Sequence, residues 1–86
     1  MICTYILQSD SDGQRYIGST NNLERRLSQH ARGQVRPTKF RLPVRLVGYR
    51  VCETIVEAAY WERKYKRSHG QLERDVKRGL ITIVGA

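Results

Sequence analysis

The sequence has few cysteines and no long apolar run. Its two cysteines, Cys3 and Cys52, are too few and too far apart for a zinc site, so we expect buried, reduced thiols and no structural metal. No apolar segment approaches the length that crosses a bilayer, and residues 1–4 lack the basic and then apolar layout of a signal peptide. These absences predict a cytoplasmic protein without a membrane partner.

Acidic residues are also scarce. Eight Asp and Glu residues face sixteen Lys and Arg, which gives a net charge of +8. Such an excess predicts attraction to polyanions and binding that weakens with salt. Many small proteins are basic, so charge alone does not decide for a nucleic-acid partner. A chain of 86 residues suffices for one small domain with a modest core.

The first twenty residues predict a β-hairpin. Residues 2–9 are rich in β-forming side chains, and the Asp-Ser-Asp-Gly stretch at residues 10–13 is a turn signal. Residues 14–19 then return as the second strand. A third strand is expected at residues 44–51.

The register of the hairpin decides whether two tyrosines meet. If Ser9 pairs with Gln14, Tyr5 lies opposite Gly18, and both Tyr5 and Tyr16 lie on one face of the sheet. A slip of one residue would separate the tyrosines. A glycine opposite Tyr5 predicts open space above the sheet, which suits a site more than a packed core.

A helix is predicted near residues 22–31. Asn21 and Glu24 have the spacing of a capping box, and the Arg-Gly pair at residues 32–33 is a stop signal. Arg26 and His30 are four positions apart and therefore lie on the same flank of this helix.

The segment that follows, residues 34–43, is a predicted basic loop that carries Arg36, Lys39 and Arg41. Two interpretations remain open for it. It is either a solvated connection or an arm that contacts phosphates.

A second capping box, Thr54 to Glu57, opens a helix predicted over residues 55–68. Glu62 falls on its small, apolar side, where a buried carboxylate is costly unless it is paired or bound to a metal. The alternative is that Glu62 reaches the rim of the helix and pairs with a neighbouring Lys or Arg.

A third helix is predicted at residues 71–78, stopped by Gly79. The apolar stretch at residues 80–84, within a tail of residues 80–86, could add an edge strand, dock on the core or pair with another copy. The expected fold is therefore a single α+β domain over residues 1–86, with a three-stranded antiparallel sheet flanked by three α-helices.

Residues 16–26, which read Tyr-Ile-Gly-Ser-Thr-Asn-Asn-Leu-Glu-Arg-Arg, resemble the GIY-YIG nuclease family, and the resemblance covers nearly the whole chain. In that family two strands each contribute a tyrosine, the next helix an arginine and a later helix a metal-binding glutamate. The matching positions are Tyr5, Tyr16, Arg26, His30 and Glu62. Two departures are that Cys3-Thr4 replaces the Gly-Ile of the first motif, and that Arg63 follows Glu62 where many relatives carry asparagine.

The resemblance implies a metal-dependent DNA endonuclease, with all five matched side chains converging on one face. Glu62 would hold one Mg²⁺ or Mn²⁺ ion, and Arg26 would grip the non-bridging phosphate oxygens. Water activation is assigned jointly to Tyr5 and Tyr16, with His30 as a hydrogen-bond partner. The basic residues expected to contact DNA are Arg25, Arg36, Lys39, Arg41, Arg63 and Lys66.

Two other classes of function remain open. One is a non-catalytic nucleic-acid-binding module of the same fold, which the altered first motif favours. The other is a regulatory subunit of a larger complex for DNA repair or recombination. Specificity for a sequence or a branched structure is expected to come from the domain itself, from a partner or from self-association. Fold alone does not establish activity.

Overall fold

The computed structural model describes residues 1–85, and the last position of the predicted tail, Ala86, lies outside the described residues. An α+β fold with an antiparallel sheet is confirmed. The elements in chain order are β1 (Cys3–Ser9), β2 (Arg15–Thr20), α1 (Leu23–Ala31), α2 (Arg36–Lys39), β3 (Val44–Val51), α3 (Ile55–Arg67), α4 (His69–Lys77) and β4 (Thr82–Ile83). No helix within residues 1–85 is long and apolar enough to span a bilayer.

The sheet has the strand order β2-β1-β3-β4, with each neighbouring pair antiparallel. The predicted hairpin register is confirmed, because Tyr5 pairs with Gly18 and Leu7 pairs with Tyr16. Side chains two residues apart on a strand share a face, so both tyrosines lie on the same side of the sheet. Because β2 is an edge strand, Tyr16 lies at the edge of the sheet.

The prediction of three strands is wrong by one. Thr82 and Ile83 pair with Tyr49 and Gly48 of β3, so the apolar tail adds an edge strand. The same tail docks on the core, since Ile81 is buried. Two of the three possibilities left open for this segment, an edge strand and docking on the core, therefore occur together.

The prediction of three helices is also wrong by one. The additional helix is α2, a single turn inside the segment expected to be a loop, with Pro37 in its first turn. A proline fits there because its fixed φ suits the start of a helix. In addition, α4 begins at His69 rather than at residue 71, because the side chain of Ser68 accepts a hydrogen bond from the backbone N–H of Gln71 and caps the helix.

The helix caps follow the predicted chemistry with one shift. Thr54 caps α3 as expected, by accepting a hydrogen bond from the N–H of Glu57 at 3.1 Å. In α1 the cap is Asn22 and not Asn21, since the Asn22 side chain accepts from the N–H of Arg25 at 3.1 Å. Both asparagines can cap a helix, and the chain turns one residue later than the Asn-x-x-Glu spacing indicates.

Two apolar clusters cover the two faces of the sheet. The cluster on the α1 face contains the buried residues Cys3, Tyr5, Leu7 and Leu23. The cluster on the α3 and α4 face contains Ile6, Ile17, Tyr65, Leu72 and Ile81. Both cysteines are buried free thiols, as expected.

A buried polar network lies on the α3 and α4 face. The carboxylate of Asp75, which is 1% exposed, accepts hydrogen bonds from Tyr65 at 2.7 Å, from Arg50 at 3.1 Å and from Gln71 at 2.9 Å. The guanidinium of Arg50 also stacks on the ring of Trp61, with 3.8 Å between Cζ and the ring centroid. This network ties α3, α4 and β3 together.

Candidate active site

Tyr5 and His30 belong to a buried chain of hydrogen bonds. Tyr5 Oη lies 2.9 Å from His30 Nε2, and His30 Nδ1 lies 2.7 Å from Thr38 Oγ1. The Thr38 hydroxyl donates to the carbonyl of Val35, so it accepts from His30 through Nδ1–H. His30 Nε2 therefore carries the lone pair, and the Tyr5 hydroxyl donates to it.

Burial keeps both members of this pair neutral. It lowers the pKa of His30 to about 4, and the positive charge of Arg26 acts in the same direction. Burial likewise raises the pKa of Tyr5 to about 12, although a hydrogen bond from Arg26 opposes the shift. A phenol with such a pKa that already donates to His30 is a poor proton acceptor for water.

Gly18 is needed because the ring of Tyr5 lies directly over it. A Cβ atom at Gly18 would fall 2.5 Å from Tyr5 Oη and 2.6 Å from its Cζ, which is closer than atoms can approach. The expectation of open space above Gly18 is therefore wrong. The absent side chain leaves room for the Tyr5 ring to reach His30.

Tyr16 extends the same cluster toward the surface. Its ring centroid lies 6.2 Å from that of Tyr5 and 5.2 Å from that of His30. Unlike Tyr5, which has no exposed surface, Tyr16 is only half-buried. It also faces a cation, since Lys66 Nζ lies 5.8 Å from its ring centroid.

Arg26 is held at two of its nitrogens. Its Nε donates to Tyr5 Oη at 3.3 Å, and its Nη1 donates to Gln29 Oε1 at 3.1 Å. The guanidinium lines a cleft of about 350 Å³ together with Ser19 and Ile55. The two hydrogen bonds restrict the orientation of the Arg26 guanidinium beside this cleft.

Glu62 approaches β2 from the opposite face. Its Oε1 accepts a hydrogen bond of 2.6 Å from Ser19, and its Oε2 accepts one of 2.8 Å from Lys66. Ser19 points away from the tyrosine face, because it is an odd number of residues from Tyr16 along the strand. The expected convergence on one face therefore holds for Tyr5, Tyr16, Arg26 and His30 but not for Glu62, which lies across the edge strand.

Lys66 connects the two halves of the candidate site. Its ammonium pairs with Glu62 and lies near the ring of Tyr16. The Glu62–Lys66 ion pair corresponds to the second interpretation of Glu62, in which its carboxylate reaches the rim of the helix and pairs with a basic neighbour.

The family model for the GIY-YIG catalytic domain matches residues 1–75, a span that contains all five side chains. The chain belongs to the GIY-YIG family.

Curated relatives extend the comparison across most of the chain. A UPF0213 protein of Halalkalibacterium halodurans is 35% identical over 82 residues, which cover 94% of this chain and 82% of the relative. A UPF0213 protein of Bacillus licheniformis is 37% identical over 79 residues, covering 86% and 79%. One from Orgyia pseudotsugata multicapsid polyhedrosis virus is 58% identical over 31 residues, or 36% of this chain and 29% of the relative. No solved structure matches the chain at a significant level.

The altered first GIY-YIG motif has a structural explanation. Cys3 and Thr4 are both buried, and the Thr4 hydroxyl donates to the carbonyl of Ala58 in α3 at 2.7 Å. These two side chains pack the sheet against its helices, so their replacement of Gly-Ile removes no group from the site.

The matched glutamate, Glu62, is the carboxylate of this GIY-YIG site to be tested as a metal ligand. Burial raises the pKa of Glu62, but hydrogen bonds from Lys66 and Ser19 outweigh it and hold the pKa below its ordinary value. Glu62 is therefore an anion with hard oxygen donors. Residues 1–85 contain no group of three or more His, Cys, Asp or Glu side chains that could hold a metal. Mg²⁺ needs no such group, because waters and substrate oxygens can complete its shell.

The basic residues expected to contact DNA lie in several places around the GIY-YIG site. Arg25 lines the same cleft as Arg26. Arg41 is half-buried, with its Nε 4.0 Å from Asp12. The remaining four, all exposed, are Arg36 and Lys39 on α2 and Arg63 and Lys66 on α3.

Sequence reasoning missed three supporting side chains: Ser19, Gln29 and Thr38. Gln29 is three residues from Arg26 on one helix, and that spacing could have indicated the contact. Ser19 lies 43 residues from Glu62, and Thr38 lies eight residues beyond His30 across a predicted loop. No local pattern marks either of these contacts.

Proposed function

We propose that this GIY-YIG protein is a divalent-metal-dependent endonuclease that hydrolyses phosphodiester bonds of DNA, with residues 1–86 acting as one nuclease domain. The observation that carries the proposal is the arginine fork held at a cleft, with an anionic carboxylate across the same edge strand. Hydrolysis requires a positioned phosphate, an activated water and stabilisation of the charge that develops on oxygen.

Arg26 binds the phosphate in this proposal. Its Nε donates to Tyr5 and its Nη1 donates to Gln29, so Nη2 is the nitrogen assigned to the substrate. That nitrogen can donate to a non-bridging oxygen without a change in the position of the guanidinium. A donor fixed in advance loses little entropy when the substrate arrives.

The two tyrosines have different roles in this proposal. Tyr5 is a positioning residue, because it is enclosed and its hydroxyl is shared between His30 and Arg26. Tyr16 is half-buried in the same cluster. We assign to its oxygen, as the phenolate, the orientation and deprotonation of the attacking water, whose proton the phenolate takes up. Lys66 Nζ lies 5.8 Å from the centroid of the Tyr16 ring and places a cation beside this group.

Glu62 would hold the ion, since its carboxylate is anionic and Ser19 fixes Oε1. When bound, a divalent ion such as Mg²⁺ or Mn²⁺ stabilises negative charge on the phosphate and on the leaving oxygen. Lys66 donates to the other carboxylate oxygen, Oε2.

DNA is the proposed partner because the chain carries a net charge of +8 and exposes basic side chains on α2 and α3, on the two sides of β2. The proposal includes a cytoplasmic role in DNA repair or recombination, as a homodimer or within a larger complex.

The test is cleavage of plasmid, single-stranded and branched DNA with Mg²⁺, with Mn²⁺ and with chelator. Glu62→Ala should abolish metal-dependent cleavage and leave most of the DNA affinity, because one carboxylate contributes little to phosphate binding. Glu73→Ala, which removes an exposed carboxylate on α4, should cut like the wild type.

Equal cleavage by Glu62→Ala and the wild type would overturn the assignment of the metal ligand. A wild-type protein that binds DNA but cuts none of these substrates with either ion would contradict the nuclease. That result would favour the non-catalytic nucleic-acid-binding module instead.

A further inference from the structure

Phe40 is the most exposed large apolar side chain in the described part of the chain, with 86% of its surface accessible. A single exposed apolar residue is common and does not by itself indicate a function. The position of Phe40 relative to the candidate site and its charged neighbours are the two observations that distinguish it.

The segment that carries Phe40 is anchored to the candidate site. Thr38, two residues earlier, is fully buried, and its hydroxyl meets His30 Nδ1 at 2.7 Å. The carbonyl of Arg41, one residue later, accepts a hydrogen bond of 2.6 Å from Ser9. Fixed contacts on both sides hold the backbone at Phe40 beside the site, and the ring is exposed to solvent.

Basic residues precede and follow Phe40 in the chain, and one of them lies over its ring. Arg36 and Lys39 are exposed on the same helical turn, and Lys39 Nζ lies 5.5 Å from the centroid of the Phe40 ring. Arg41 follows directly in the chain. An aromatic ring among cations is the arrangement that binds single-stranded nucleic acid, because bases stack on the ring while the cations bind the backbone phosphates.

We propose that Phe40 stacks on an unpaired base of DNA and thereby directs the enzyme to single-stranded or branched DNA. This inference deepens the proposed function, because it rests on DNA as the substrate. Bases inside a duplex are already stacked on one another and gain little from the ring. An unpaired base gains a new stacking surface, so Phe40 should discriminate between these DNA structures while the neighbouring cations attract all of them.

The test is DNA binding measured by fluorescence anisotropy in chelator, so that no cleavage occurs. The probes are a labelled single strand, a forked duplex and a blunt duplex. Phe40→Ala should weaken binding to the single strand and the fork by about tenfold or more, with less than about a twofold change for the blunt duplex. Phe40→Trp should restore the affinity, because indole also stacks on bases.

Ile83→Ala is the matched control, since Ile83 is another exposed apolar side chain, located on β4. It should leave all three affinities unchanged. Circular dichroism should show an intact fold for Phe40→Ala, because the ring is exposed.

Equal losses on all three probes, or no loss in Phe40→Ala, would overturn the inference. It fails separately from the proposed function. If the wild type cuts DNA but Phe40→Ala does not change single-strand binding, only the stacking role is contradicted. If single-strand binding depends on Phe40 but the wild type does not cut DNA, only the nuclease function is contradicted.

Discussion

At the scale of single residues, Tyr5 and Tyr16 are the same side chain in two environments. Tyr5 is enclosed, and its hydroxyl satisfies His30 Nε2. Tyr5→Phe should therefore lower the free energy of unfolding by about 1–3 kcal/mol, because it leaves a buried acceptor without a partner. Tyr16→Phe should change the free energy of unfolding by less than about 0.5 kcal/mol and yet reduce DNA cleavage severely.

Urea unfolding and cleavage assays on the two variants measure this division. The wild type supplies the reference for both quantities. If Tyr16→Phe cuts DNA at the wild-type rate, the assignment of water activation to Tyr16 is wrong. If Tyr5→Phe is as stable as the wild type, the hydrogen bond to His30 has no structural role.

His30 should make stability depend on pH. Burial lowers its pKa from 6.5 to about 4 in the folded protein, so the unfolded chain binds the proton more tightly. This contribution is fully present above pH 6.5, declines as the pH falls toward 4 and is absent below that value. The loss amounts to about 3 kcal/mol.

Urea unfolding between pH 7 and pH 4 tests this dependence on wild type and His30→Gln. Carboxylates titrate in the same range in both proteins, so the difference between the two pH profiles isolates His30. The variant should lose less stability on acidification than the wild type. Parallel profiles would show that His30 is as easily protonated in the folded protein as in the unfolded chain.

At the scale of elements, the network around Asp75 holds α4 against α3 and β3. Asp75→Ala should lower the free energy of unfolding by about 3 kcal/mol or more, because it leaves the largely buried Arg50 cation without its partner. Glu73→Ala, an exposed change on the same helix, should cost less than about 0.5 kcal/mol. Chemical denaturation of both variants measures the difference, and equal stabilities would contradict the structural role of the network.

Local patterns predict the elements that depend on neighbours in sequence. The period of two in the hairpin fixed the register of Tyr5 against Gly18, and Thr54 marked the start of α3. Elements that depend on distant contacts were missed. The turn α2 is held by Thr38 against His30, and β4 exists because Thr82 and Ile83 find the free edge of β3.

At the scale of the whole molecule, the candidate site is assembled around one edge strand. The spacing of β2 and α1 predicts the neighbourhood of Tyr16 and Arg26, since these elements are adjacent in the chain. Glu62 was expected on the same face, but α3 packs on the opposite face of the sheet and reaches β2 through Ser19. The packing of the whole chain decides which face of the sheet a later helix covers. The local spacing of residues does not predict that face.

The central claim is that Arg26 clasps the scissile phosphate. Arg26→Lys keeps the charge and the helix propensity but removes the planar fork. If the directed hydrogen bond from Nη2 strengthens in the transition state, the loss should appear in the rate of the chemical step rather than in DNA affinity.

The measurement is single-turnover cleavage of DNA by wild type and Arg26→Lys, with the affinity of both proteins for the same DNA determined in chelator. Arg32→Lys, the same change at an exposed arginine that follows α1 and lies outside the assigned site, is the matched control and should keep the cleavage rate. The account predicts that Arg26→Lys lowers the cleavage rate by about a hundredfold or more while the affinity changes little. Cleavage by Arg26→Lys at close to the wild-type rate would mean that charge alone suffices at this position, and it would contradict the proposed mechanism.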